Sequence, residues 1–159
     1  MEKNITTFEI RNAFDIKYGR LREWIDKEYI KPSILKASSA HERHKFSKED
    51  VYYILLFDYL LRTGFSRKEA GSKIEDLVKQ KHIKSKGIFS IKYIAFYKVC
   101  EEPVMKLEKI KEFKNYSKVL TPEDTNKGID RLFNEKGEFQ EVVIVNFEKI
   151  RQYVDSKIG

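Results

Sequence analysis

One cysteine, Cys100, in 159 residues excludes an internal disulfide framework and a zinc site built on several thiolates. No stretch approaches the roughly 18 apolar residues needed to span a membrane. The opening MEKNITTFEI has no apolar core of the secretory kind, so a soluble, cytoplasmic chain is expected. Signatures of catalysis are missing too: G-x-S-x-G, a phosphate-binding glycine loop and H-E-x-x-H do not occur. Glu101–Glu102 and Glu123–Asp124 are adjacent acids, but chain neighbours point apart, and the second pair belongs to a helix start. His41 and His44 have a spacing that suits a metal, yet no second pair accompanies them. The sequence therefore reads as a non-enzyme with no cofactor and no metal.

What is present is core material and charge. Eleven Phe and nine Tyr within a 41% hydrophobic composition are enough for one ordinary domain or two small ones. The formal charge is +7, which favours polyanionic partners. Its distribution is uneven: residues 1–50 carry +2, residues 51–80 carry +1, residues 81–118 carry +6 and residues 119–159 carry −2. Any nucleic-acid contact by the first part must rest on arrangement, because net charge there is small.

Local signals divide the chain into elements. Thr6 and Glu9 form a capping box with Ile5 and Ile10 as its hydrophobic staple, opening a helix to about Ala13. Asp15 is the expected cap of a second helix over about 17–27, with Tyr18, Leu21, Trp24 and Ile25 on one face. Pro32 stops simple continuation. Residues 33–46, SILKASSAHERHKF, suit a β-hairpin with a basic return strand. Ser47 with Asp50 caps the strongly apolar VYYILLFDYLLR, Gly64 suits a left-handed helix stop, and Ser66 with Glu69 opens a fourth helix. Further on, residues 88–99 read as a strand and 101–115 as a helix. TPED at 121–124 starts another helix, FNEKGEF is a turn, EVVIV a buried strand, and Asn146 caps a final amphipathic helix.

The order helix, turn, helix, hairpin, helix, helix is that of a winged helix-turn-helix. LREWIDKEYIKP, RHKFSKEDV and GFSRKEA occur in that order, and over roughly residues 4–75 the chain resembles the MerR family of bacterial transcription regulators. The expected fold is α+β: a four-helix winged domain with a β-hairpin wing at 4–78, a basic linker at 79–87 and a small α+β domain at 88–159. The resemblance implies that helix 2 enters the DNA major groove. It brings Lys17, Tyr18, Gly19, Arg20, Arg22 and Glu23 to the duplex, with Arg43, His44 and Lys45 of the wing and Ser66 of helix 4 on neighbouring phosphates. Gly19 costs a helix interior about 1 kcal/mol relative to alanine, which makes sense if the backbone approaches DNA closely.

Three departures from the family stand out. Glu23 occupies its usual aromatic position, Lys17 replaces its serine cap, and no heptad run follows residue 80. The function expected is sequence-specific, nucleoid-associated transcription regulation, with double-stranded DNA and RNA polymerase as partners. A homodimer through the C-terminal half, by strand edges and the stripe Phe147, Ile150, Val154 and Ile158, would extend the site read. The competing role for that half is an effector pocket lined by FSIKYIAFY, whose alternation puts Phe89, Ile91, Tyr93, Ala95 and Tyr97 on one face. Without a cluster of convergent polar groups, the interface ranks above the pocket. An excisionase-like or partner-recruiting accessory module is the alternative use of the same domain. Trp24 is expected in the core, and the basic segment Lys79–Lys86 is a candidate phosphate-contacting linker.

Overall fold

A computed structural model describes residues 3–39, 41–80, 83, 86–98, 117–134 and 141–159. The helix expected over 101–115, Cys100, the linker lysines Lys81 and Lys84, and the FNEKGEF turn from Glu135 onward lie outside the described residues. The protein is mixed α+β, and contacts divide it into two compact units: Met1–Gly71 with Lys149–Gly159, and Ser72–Glu148.

In the first unit, strand β1 (Ile5–Thr6) pairs antiparallel with β2 (Lys45–Phe46), Ile5 opposite Phe46. Helix α1 (Thr7–Phe14) opens on the Thr6–Glu9 capping box, and both staple residues, Ile5 and Ile10, are buried. Asp15 does not cap the next helix. It closes α1 in the left-handed region at φ 52°, a conformation that Asp tolerates better than most residues. Helix α2 (Tyr18–Asp26) consequently starts at Lys17 with no side-chain capping bond.

Helix α3 (Lys48–Arg62) is the core element. Ser47 and Asp50 form its capping box, and Val51, Tyr52, Ile54, Leu56, Phe57 and Leu60 are all buried. Its end explains the GFS signature physically. The Gly64 amide donates to Leu61 O (3.2 Å) and the Phe65 amide to Leu60 O (3.2 Å), with Gly64 at φ 99°. That is the Schellman arrangement, with Phe65 buried. Ser66 then caps α4 (Arg67–Lys79), which begins in the first unit and passes into the second at Ser72.

The second unit holds a three-stranded antiparallel sheet in the order β4-β3-β5: β3 (Tyr93–Lys98), β4 (Ser117–Leu120) and β5 (Glu141–Asn146). Residues 88–99 are not one continuous strand. Ile88–Ser90 form a 3₁₀ turn that leaves Phe89 exposed, and the strand starts only at Tyr93. Strand β3 is paired on both edges, and its consecutive residues Ile94, Ala95, Phe96 and Tyr97 are all buried, so side chains on both faces are covered. Lys73, also buried, donates to Tyr97 O (3.0 Å), while Asp76 accepts from the Ser117 hydroxyl (2.8 Å). Helices α5 (Pro122–Asn126, with the Thr121–Asp124 capping box) and α6 (Ile129–Asn134) precede β5. In β5 only Val145 is fully buried and Ile144 is half exposed, because the strand is at the sheet edge among the described residues.

The last helix, α7 (Phe147–Ile158), groups from Lys149 onward with the first unit, whereas its sequence position suggested the second half. Tyr52 donates to Asp155 (2.7 Å), Lys48 pairs with the same carboxylate (2.8 Å), and Phe14 meets Tyr153 edge-on at 5.7 Å. Phe147 and Val154 are buried within the chain, so the stripe expected to pair two chains is already partly covered.

Gly64→Ala should destabilise the protein by about 1–2 kcal/mol, the cost of a Cβ in the left-handed region. Equilibrium urea unfolding of wild type and variant reads this directly. A midpoint that does not move would mean that the α3 stop does not depend on glycine.

Candidate functional site

All ten residues expected at an interface lie in the first unit, and α2 organises them. Leu21, Trp24 and Ile25 face inward, with Trp24 fully buried and edge-on to Phe57 at 4.9 Å. Tyr18, expected on that same face, is instead 49% exposed. The Arg11 guanidinium lies 5.2 Å from its ring centre, so a first-turn tyrosine finds a cation rather than the core.

The helical repeat then puts Gly19, Glu23 and Asp26 along the outward ridge of α2, with Arg22 on one flank and Arg20 and Lys27 on the other. A Cβ placed on Gly19 would meet nothing within 4 Å, so nothing in the protein's own packing requires glycine there. Arg22 reaches Asp26 at 3.6 Å, and both side chains are more than half exposed. Such pairs are worth a few tenths of a kcal/mol in a helix, weak enough to be exchanged for another anion. Arg20 lies 5.4 Å from the Trp24 ring centre and 4.0 Å from Asp58 of α3.

Glu23, at the position where the MerR resemblance has an aromatic, accepts from Arg67 of α4 (3.1 Å) and pairs with Lys27 (3.2 Å). Within the chain its carboxylate is a brace between α2 and α4. Ser66 is similarly occupied. Its hydroxyl accepts from the Glu69 amide (3.1 Å) and its own amide donates to the Glu69 carboxylate (2.8 Å). That acid stands at the helix N-terminus where a phosphate would otherwise sit.

The loop between Leu35 and Lys45 is a hairpin closed in an unusual way. Leu35 and Lys45 exchange backbone hydrogen bonds of 3.1 and 2.8 Å. Beyond them side chains replace the ladder: the Ala37 amide donates to His44 Nδ1 (3.0 Å) and the Ser38 amide to Glu42 (2.8 Å). Phe46 is fully buried and anchors the return strand, as expected. Arg43 is exposed, and Lys45 is half-buried in β2.

His44 is half-buried and an acceptor at Nδ1, so it meets the solvent side as a neutral ring. Burial is the main cause that holds its pKa below the ordinary 6.5, with Asp26 pulling the other way and Lys36 adding to the depression. Between this loop, α1 and α2 runs an open cleft of about 740 Å³, lined among others by Phe8, Arg11, Tyr18, Arg22, Arg43 and His44. It brings together Arg22 of the helix and Arg43 and His44 of the loop, and adds Phe8 and Arg11 of α1. Lys17, Gly19, Arg20, Glu23, Lys45 and Ser66 do not line it.

Four residues near the expected interface escaped the sequence reading: Arg11, Asp58, Arg62 and Arg67. For Asp58 and Arg62 a signal existed, an acid inside an apolar helix run with an arginine four residues later. Arg11 and Arg67 were visible only as ordinary surface cations. Among the described residues no three of His, Cys, Asp and Glu gather as metal ligands, and no helix is long and apolar enough to cross a membrane. No protein-family model matches the sequence, and no curated protein matches it either.

The depressed His44 pKa has a defined consequence for stability. The unfolded chain takes up the proton at about the ordinary value, while the folded chain resists it and loses the Ala37 bond when protonated. Stability should therefore fall as pH drops through about 6.5. Thermal melts at about pH 7.5 and about pH 5.5 should show this loss in wild type, and His44→Ala should show less of it. Equal losses in both proteins would assign the effect elsewhere.

Proposed function

We propose that the first unit is a winged helix-turn-helix of the MerR-like kind, and that the protein is a sequence-specific double-stranded-DNA-binding transcription regulator. The observation that carries this reading is the outward surface of α2. It has a glycine over open space on its ridge, Arg22 on the flank toward the 36–44 loop and Arg20 on the flank toward α3. A helix seated in the major groove needs a ridge that can approach closely and cations on either side for the two phosphate strands. The loop that carries exposed Arg43 lies across the cleft from Arg22, as a wing beside a recognition helix would.

Two details of the interface are refined by the geometry. Glu23 acts in the proposal mainly as a brace through Arg67, and Ser66 as a helix cap, so neither is a principal DNA ligand. Arg11 joins Arg22 and Arg43 on the cleft side. The protein acts without catalysis or cofactor in this proposal, in the nucleoid, with RNA polymerase as the further partner of such a regulator. Self-association is assigned to the second unit, where Ile144 on edge strand β5 and Ile129 on α6 are exposed apolar residues. A monomer in sedimentation equilibrium at micromolar concentration, with DNA present and absent, would remove that part.

Fluorescence anisotropy on random-sequence duplex DNA across a salt series tests the central reading. Wild type should bind, with affinity falling steeply as salt rises. Arg22→Ala and Arg43→Ala should each make the slope shallower by about one unit per lost phosphate contact. Gly19→Ala should stabilise the fold by up to about 1 kcal/mol while weakening DNA binding. Absence of binding at low salt, or binding indifferent to both arginines, would make the domain a protein-binding scaffold and end the regulator reading.

A further inference from the structure

Asp58 is an acid in the most apolar helix of the chain and is only 5% exposed. Burying a carboxylate is costly unless cations and hydrogen bonds compensate it, and an apolar residue of similar size often serves stability at least as well. What Asp58 does have is two arginines. Arg62 Nη2 lies 2.8 Å from one carboxylate oxygen and Arg20 Nη2 lies 4.0 Å from the other. The Arg62 side chain is 73% exposed and that of Arg20 48%, so each guanidinium turns part of its five-donor fork toward solvent. Arg20 is held a second time by the face of Trp24.

We propose that Arg62 is a phosphate ligand of the DNA interface, and that Asp58 is the positioning residue that holds Arg62 and Arg20 side by side. This rests on the DNA-binding reading above. The argument is one of flanks. Arg22, Arg11 and Arg43 lie on the loop side of α2, while the α3 side has Arg20 and Lys27, of which Lys27 is paired with Glu23. A duplex seated on α2 presents a second phosphate strand to that side. Arg20 and Arg62 on one carboxylate make a net positive pair there, preorganised by a group too buried to swing away. A plain interhelix brace between α2 and α3 would use the same contacts, but it would act on stability and leave DNA affinity alone.

The test uses the whole protein and the same random-sequence duplex, with wild type and Arg22→Ala alongside as reference. Arg62→Gln keeps a donor for Asp58 but takes a cation from a buried carboxylate, so it should lose stability. Compared where its near-ultraviolet circular dichroism is that of wild type, it should lower the salt slope by about one. Asp58→Asn removes a negative charge, so charge alone predicts tighter binding. Loss of positioning predicts binding about three- to tenfold weaker, the range of one lost hydrogen-bonded contact. A slope unchanged in Arg62→Gln overturns the inference while the DNA reading survives on wild type and Arg22→Ala. So does tighter binding by Asp58→Asn that still gives the wild-type near-ultraviolet circular dichroism. If Asp58→Asn fails to fold, Arg62→Gln alone decides. If wild type binds no duplex, both readings fall together.

Discussion

The contact between Trp24 and Phe57 sets how α2 is turned on the core of the first unit. Trp24 meets Phe57 edge-on at 4.9 Å, and Tyr29, just past the end of α2, stacks on the same ring at 6.0 Å. Edge-to-face aromatic pairs add about 0.5–1.5 kcal/mol beyond the area they bury. Their larger effect is geometric, because two contacts on one α3 side chain leave α2 a single rotation about its axis. With Leu21, Trp24 and Ile25 turned inward, the 3.6-residue repeat decides that Gly19, Glu23 and Asp26 face out and that the arginines lie to either side. The candidate interface is thus a consequence of the core.

Much of the fold was legible because its signals are local. The capping boxes Thr6–Glu9 and Ser66–Glu69, the Ser47–Asp50 cap and the helix start at Thr121 were read from local sequence, and all four sites form reciprocal capping boxes. Each needs only a short hydroxyl and a carboxylate three residues on, so tertiary context has little chance to override it. The left-handed Gly64 belongs to the same class. Asp15 misled for a physical reason: Asp is both a good N-cap and one of the few residues at ease in the left-handed region, and here the second property prevailed.

Features that rest on distant partners were not legible. Tyr52 and Asp155 are 103 residues apart, and no periodicity announces that the last helix returns to the first unit. Glu23 stands among the expected interface residues, and the Arg67 guanidinium that its carboxylate accepts from comes from 44 residues further along the chain. Alternation along β3 marks Ala95 and Tyr97 as an apolar face, yet Ile94 and Phe96 of the other face are buried as well, which depends on what covers the sheet and leaves no local pattern. The 35–45 loop lacked a turn signature because His44 and Glu42 close it with side chains in place of a backbone ladder. Of the site, the α2 ridge and the basic return of the loop were readable. The Arg20–Asp58–Arg62 cluster needed the fold.

Charge has to be weighed by how it is held. Among stretches of the sequence the largest basic excess lies in residues 81–118, yet the first unit, with residues 149–159 included, carries +5 of the +7 and the second unit +2. In about 0.15 M salt, charges more than about 8 Å apart hardly act together, so a global count says little about a helix-sized surface. Two ways of presenting an arginine are visible within this unit. Arg22 is paired with an exposed Asp26 at 3.6 Å, a bond weak enough that a phosphate can replace the carboxylate at small cost. Arg62 is paired with a carboxylate that burial keeps in place, so in the proposed interface it would keep Asp58 and offer the donors left over. The first arrangement keeps an arginine adaptable and the second keeps it in register. A surface of the kind proposed, sliding along any duplex and then locking onto one sequence, would have use for both.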